Sequence, residues 1–419
     1  MELTPSIKHG VAVRSVPFLC AALLTGNLII APIFWYAGYH PDFHTIHGFA
    51  TKFLEGRSVY ARANPYLPSA VFLLAPLGLL DKPTAWLIWK LVMMSVVLVT
   101  ISGIYRLSRL SLSIPLAWCC ATNIGLLAGM TPKTGNPGNL VGPLVVLAWI
   151  LMARNREKTA GGILGIALAL KYPLGLPLLG LALLKRRLKF AATAFLVFAA
   201  TNSIALLWLA RNGETLGSVC RAVKDGIVLV GGYNDYGFNA WFNADVRGRY
   251  STLSAMPLLS GLGLSPSWSR GVTLGLCMFA VILAVYTTVR KDGTILCGLS
   301  VFSPLFLTLT YHRYYDSALL VFPIFLAWTQ CGASKGWPMV ARAAVVLGSL
   351  FLLRSIAYNL VYRSGVGDEM LRWWFFNFLV CPIHIYALFC IALGAFVLCV
   401  AYGHSDREGE GNCNTEKYP

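Results

Sequence analysis

An acid stands just past the first long apolar run of the chain. Val16–Ala37 is continuously apolar, and Tyr39-His40-Pro41-Asp42-Phe43-His44 follows it. A carboxylate at that point, followed by aromatics, His, Lys and Arg, is placed to act as a general base at a membrane surface. The competing role is structural. Phe43, Ile46, Phe49/Ala50 and Phe53/Leu54 recur at i, i+3, i+7 and i+10, which predicts an amphipathic surface helix, and Asp caps such a helix well. A second group is Thr131-Pro132-Lys133-Thr134-Gly135-Asn136-Pro137-Gly138-Asn139. Glycine there permits close backbone approach, and a helix opening at Asn139 offers N–H groups to an anion; a tight interhelical turn explains the same residues. It is not a P-loop, because the G-x-x-x-x-G-K-S/T pattern is absent. A third group, Tyr311-His312-Arg313-Tyr314-Tyr315-Asp316, pairs His with Arg as phosphate donors. Its structural alternative is an aromatic interfacial anchor with Asp316 capping the next helix. Finally, Lys171 stands in an apolar stretch, where a lysine either lines a water-filled cavity, holds a lipid phosphate or caps a broken helix. These readings stay open.

The elements that must position these residues are membrane spans. Hydrophobic residues make up 57% of the 419 residues and charged ones 12%, with mean hydropathy +0.66. Soluble domains carry about 25% charged residues. The apolar runs lack period-two alternation, so an all-α polytopic membrane protein is expected, not a barrel. Full spans read as Val16–Ala37, Thr84–Tyr105, Ile114–Met130, Gly138–Ala153, Leu188–Ala210, Gly271–Val289, Ile295–Tyr311, Ser317–Cys331, Pro338–Val361 and Phe375–Tyr402. The first is read as uncleaved, since no A-x-A site ends it. The 11 Cys lie mostly inside apolar runs without C-x-x-C spacing, so they read as small buried residues. The net charge of +17 has no soluble basic domain to serve, which argues against nucleic acid and for anionic lipid or phosphate partners.

Charge fixes the expected topology. With Lys8 and Arg14 inside, Arg106/Arg109, Arg154/Arg156/Lys158 and Arg290/Lys291 all fall inside. Lys185-Arg186-Arg187-Leu188-Lys189 joins them only if Gly161–Leu184, broken by Lys171-Tyr172-Pro173, enters and returns as a hairpin. Ala70–Leu80 is likewise a half-length segment that dips without crossing. The outer face then holds segments 38–83, 131–137, 211–270, 312–316 and 362–374. A single integral domain spans 1–402, and 403–419 is a polar, disordered cytoplasmic tail.

Taken together and in order, these features resemble glycosyltransferase family 87, polyprenol-phosphate-mannose-dependent mannosyltransferases of the GT-C superfamily. The resemblance rests on the early outer acid followed by Gly56-Arg57-Ser58-Val59-Tyr60, on Tyr66-Leu67-Pro68 with Pro76, on Gly135-Asn136 followed by the Lys171-Tyr172-Pro173 hairpin, and on Arg313-Tyr314-Tyr315-Asp316. It covers roughly residues 39–323; Tyr66-Leu67-Pro68 lacks the paired prolines common in such loops. It implies a GT-C-type bundle of about ten full spans plus the broken hairpin. It implies an inverting transfer of mannose from a polyprenyl-phosphate donor to a glycan or glycolipid acceptor, at the outer face of a bacterial inner or plasma membrane with both termini cytoplasmic. Asp42 becomes the general base. His312 and Arg313, then Lys133, become the donor-phosphate ligands, with Asn136, Lys171, Tyr66 and Asp316 completing the binding set. No metal or cofactor is expected, since no second acid near Asp42 makes a D-x-D pair. Two alternatives remain: a lipid or solute transporter or flippase, which should show a matching break in each half where only one hairpin is read, and a GT-C enzyme using another polyprenyl-linked sugar such as arabinofuranose.

Overall fold

The computed structural model describes residues 41–61, 64–108, 114, 135–231, 259, 264–290, 293–309, 314–329, 337–351 and 383–408, and all regular structure among them is helical. The expected spans Val16–Ala37 and, apart from Ile114, Ile114–Met130 lie outside these residues, as does segment 362–374.

Helix α1 (Pro41–Leu54) follows the spacing expected of it. Phe43, Ile46, Ala50 and Phe53 are each at most 3% exposed. Gly56, at φ 66°, closes the helix. Its N–H bonds the Phe53 carbonyl at 3.3 Å and the Arg57 N–H bonds that of Lys52 at 2.9 Å, the paired bonds of a Schellman turn. The apolar face differs from expectation in what it covers. It lies on protein, not on lipid: Phe43 meets Trp86, and Phe53 meets Phe72 and Trp208. Helix α2 (Pro68–Leu74) runs beneath it into a 3₁₀ turn (Ala75–Leu79). This stretch does not cross, because both its flanks return to α1: Tyr66 packs on Phe49, and the Leu80 carbonyl lies 3.0 Å from His47 Nε2.

Helices α3 (Lys82–Ser108) and α4 (Gly138–Ala153) run antiparallel. Trp89 Nε1 donates to the Gly135 carbonyl at 2.8 Å at one end, and the Thr100 hydroxyl lies 3.3 Å from the Pro143 carbonyl midway. At the other end Arg154 is crowded by Arg106 and Arg156. Partial burial, then these like charges, hold its pKa below the usual arginine value.

Helical residues Glu157–Leu184 (α5) have the length and composition of a span but fold back on themselves. A straight helix of 28 residues is about 42 Å long. Yet Glu157 Oε1 and Arg187 Nη1, flanking its two ends, are 2.9 Å apart. A Cβ at position 175 would lie 2.8 Å from Leu168 Cδ2 and 3.2 Å from Leu164 Cδ1, so the two halves pack side by side. The break is at Lys171, whose backbone is extended (φ −157°, ψ 81°), with Pro173 just inside the returning half. This is the hairpin that charge and sequence predict.

From that turn α6 (Leu188–Arg211) runs to the α1 end, where Trp208 Nε1 donates to the Phe53 carbonyl at 2.9 Å. Helix α7 (Leu216–Gly231) follows, so the 211–270 segment begins as structured chain. Val219, Ala222 and Val223 form a small core with Phe53, Tyr60 and Val71. The later helices are α8 (Pro266–Val289), α9 (Ile295–Leu309), α10 (Val321–Thr329), α11 (Trp337–Phe351) and α12 (Ile383–Glu408). Arg290 Nη2 lies 3.4 Å from the Val400 carbonyl, and a Cβ on Gly298 would lie 2.8 Å from Leu181 Cδ1, so the last turns of α12 lie on the side of the hairpin base and the Arg154 cluster. That end is the basic end.

Among the described residues four helices are long and apolar enough to cross a membrane, Lys82–Leu107, Glu157–Leu184, Leu188–Arg211 and Gly271–Val289, beside six shorter apolar helices. The second of the four is the hairpin. Two expectations need correction. The segment expected to span Ser317–Cys331 opens as a 3₁₀ turn, Tyr314–Leu320, leaving a nine-residue α-helix. Gly403–Glu408, expected to be disordered, continues α12 as helix. The five cysteines described, Cys220, Cys277, Cys297, Cys390 and Cys399, are free.

Candidate functional site at the α1 end

Three segments far apart in sequence meet at the start of α1. Gly135 has φ 64°, and a Cβ on it would lie 2.6 Å from Trp86 Cζ3, 2.7 Å from Phe43 Cβ and 3.4 Å from Phe43 Cα. Only glycine gives the loop both that backbone angle and that approach. The Phe43 and Trp86 rings meet edge to face at 4.9 Å. Asp42, the residue before Phe43, is therefore brought beside the Gly135-Asn136 turn. Asn136 shapes that turn: its Oδ1 accepts from the Gly138 N–H at 2.8 Å and its carbonyl from the Asn139 N–H at 3.0 Å. His47, one turn along α1, fixes the entry to α3. The Leu80 carbonyl can only accept, so His47 Nε2 donates to it at 3.0 Å. Exposed Asp81 caps α3 through the Thr84 N–H, and bonds to Thr84 lower its pKa.

A second convergence lies about 10 Å along α1 from Asp42. Tyr66 packs on Phe49 at 6.3 Å, and its carbonyl accepts from the buried Tyr60 hydroxyl at 3.0 Å. Burial, then the charge of Glu214, raises the Tyr60 pKa, which keeps that hydroxyl a donor. Ser69 ties this segment to the hairpin apex: its hydroxyl donates to the Ala169 carbonyl at 2.9 Å and its N–H to Asn202 Oδ1 at 3.4 Å. Tyr66 and half-buried Lys171 thus flank one junction. Asp316 belongs to the 3₁₀ turn Tyr314–Leu320. Lys133, His312 and Arg313 lie outside the described residues.

Residues 64–307 match the family profile of glycosyltransferase family 87, more than half of the chain. The chain belongs to glycosyltransferase family 87. No curated protein matches it. It is accordingly a membrane glycosyltransferase. The matched region contains Tyr66, Lys133, Asn136 and Lys171, and the segments that carry both convergences except α1 and the Tyr60 segment that follows it. Asp42 precedes it and His312, Arg313 and Asp316 follow it.

Sequence reasoning missed one residue of this family 87 enzyme. Lys90, one turn beyond Trp86 on α3, is 4% exposed, and its Nζ has no hydrogen-bond partner among the described residues. The nearest compensation is the Trp86 ring, its centroid 5.9 Å away. An uncompensated buried ammonium is costly, several kcal/mol after relaxation. It stands beside the Trp86 ring that meets Phe43 and Gly135. The signal was available: Trp86-Leu87-Ile88-Trp89-Lys90-Leu91-Val92 sets a lone cation in an apolar run, the same feature that draws attention to Lys171.

Proposed function

We propose that this glycosyltransferase moves mannose from a polyprenyl-phosphate donor to a glycan or glycolipid acceptor, with inversion, at the outer face of the plasma membrane. The observation that carries the reading is the meeting of the α1 start, the Gly135-Asn136 turn and the buried ammonium of Lys90 at the end of the bundle away from the basic clusters. Basic clusters stay cytoplasmic, so that end faces out and the hairpin and both termini enter from inside.

The chemistry follows from the groups present. The Asp42 carboxylate takes the acceptor's hydroxyl proton as that oxygen bonds the anomeric carbon. The bond from that carbon to the phosphate oxygen breaks, and the polyprenyl phosphate leaves. A phosphodiester with one negative charge becomes a monoester with two. A cation whose attraction grows with that charge lowers the barrier more than it strengthens ground-state binding. Lys90 supplies one such cation, and His312, Arg313 and Lys133 are the candidates to complete the phosphate site. Tyr66, Asn136, Lys171 and Asp316 are assigned to substrate binding.

The test is a donor panel on the purified chain in lipid nanodiscs: polyprenyl-phosphate mannose, polyprenyl-phosphate arabinofuranose and nucleotide-linked mannose, with products read by mass spectrometry. Transfer from the first alone is the expected result. Transfer from the second reassigns the sugar, and transfer from the third overturns the polyprenyl donor.

A further inference from the structure

The basic end carries a built cleft that the transfer reaction does not use. The turns before α5 and α6 are twins. Asn155 and Arg186 sit in the left-handed region at φ 58° and 56°. The next N–H in each reaches back across a Schellman turn, Arg156 to the Leu151 carbonyl and Arg187 to that of Ala182, both at 2.9 Å. Each turn is followed at once by a helix, so the N-termini of α5 and α6 open side by side. Neither cap residue, Arg156 or Arg187, gives its helix a side-chain acceptor. Two sets of first-turn N–H groups are therefore left to solvent or to a ligand.

Between them lies an open cleft of about 720 Å³, lined by the cations Arg156, Lys158, Arg186 and Lys189, with Leu188 and one acid, Glu157. Glu157 is already neutralised by Arg187 at 2.9 Å. Four cations thus face one space with no free acid lining it. Charges kept only to orient the chain in the membrane need no common cleft and no shared helix ends.

The wall below the cleft is apolar. Leu188, Phe195 and Leu196 stand on one stripe of α6 at i, i+7 and i+8, and are 64%, 62% and 65% exposed. An anion held at the helix ends would have this stripe directly beneath it. A soluble phosphate has no use for such a track, whereas a lipid does.

We propose that this cleft binds the headgroup phosphate of an anionic phospholipid, whose acyl chains lie along the exposed stripe of α6. The site is at the opposite end of the bundle from α1 and is independent of the reaction proposed above. It ties the hairpin, whose two ends form the cleft, to the lipid composition of one leaflet.

The experiment is thermal unfolding of the full chain in mild detergent, titrated with dioctanoyl phosphatidylglycerol, dioctanoyl phosphatidylcholine or inorganic phosphate. Phosphatidylglycerol should stabilise the wild type at concentrations about tenfold below phosphatidylcholine, and inorganic phosphate should not stabilise it. The triple variant Lys158→Gln/Arg186→Gln/Lys189→Gln should need about a hundredfold more phosphatidylglycerol, from roughly tenfold or less per charge. The double variant Lys52→Gln/Lys82→Gln, which removes charge at the α1 end, should keep the wild-type preference. Equal responses in the triple variant and the wild type would overturn the site. Equal stabilisation by inorganic phosphate would overturn the lipid assignment. If the triple variant does not fold, Lys189→Gln alone should weaken the response severalfold, and an unchanged response overturns the site.

Discussion

The two ends of this enzyme hold their charges in opposite ways. At the basic end the cations are exposed or half-exposed, spread over turns, and the one ion pair described there, Glu157–Arg187, is only partly buried. At the α1 end the Lys90 ammonium is buried, with no hydrogen-bond partner among the described residues, beside a packed contact of Phe43, Trp86 and Gly135. The difference teaches which charges act one by one and which act through assembly. Solvated charges contribute small, nearly independent amounts. A buried charge depends on every segment that closes over it, so changes there should be large and coupled.

The largest expected effect tests the acid that α1 presents. Asp42→Asn should lower turnover about a hundredfold or more, with thermal stability and donor binding intact. Asn caps helices about as well as Asp, so wild-type transfer by this variant would leave Asp42 a cap and the α1 end without its base. The next concerns the contact that assembles that end. In Gly135→Ala the new Cβ meets Trp86 and Phe43 inside 3 Å at a backbone angle unsuited to alanine. It should cost about 1–3 kcal/mol of stability and reduce transfer by moving Phe43 and its neighbour Asp42. Gly48→Ala, where nothing lies within 4 Å of the added carbon, should not lower the melting temperature. If the two alanines melt alike, the close approach at Gly135 is not what holds the site.

A smaller effect is expected at Lys90. Lys90→Met should lower kcat about tenfold or more with a smaller rise in donor KM, without lowering the melting temperature of the ligand-free chain, because it removes a buried charge with no hydrogen-bond partner among the described residues. Lys90→Arg should recover part of the lost turnover. A drop in melting temperature with normal kcat would make Lys90 structural. The smallest effect belongs to the basic end: a double-mutant cycle on Glu157→Gln and Arg187→Gln, read by unfolding, should give a coupling of about 1 kcal/mol or less. A coupling several times larger would erase the contrast between the ends.

The hairpin shows how much the sequence carries. The hairpin follows from Lys171-Tyr172-Pro173 in an apolar run and from the need to put Lys185–Lys189 on the side of Arg154–Lys158, and both are properties of sequence order. The amphipathic period of α1 is equally local, as are the helical stretches at Gly138–Ala153 and Leu188–Arg211. What α1 packs on was not legible, because a period identifies an apolar face without naming its partner; lipid was expected and α2, α3 and α6 are found. The nine-residue α10 and the helical continuation to Glu408 were missed because hydropathy marks apolar length and not where backbone hydrogen bonds end.

The sequence by itself determined that this is a helical membrane protein, the family resemblance, the charge asymmetry between its ends, and the residues able to do chemistry. Those depend on composition, order and local spacing. Only the tertiary structure decided that the Gly135 turn reaches Phe43 beside Asp42, that Ser69 joins the Tyr66 segment to the Lys171 apex, and that Lys90 is buried with no hydrogen-bond partner among the described residues. Each is a contact between segments tens of residues or more apart, or the burial that follows from one, and packing alone determines which distant side chains close over which charge.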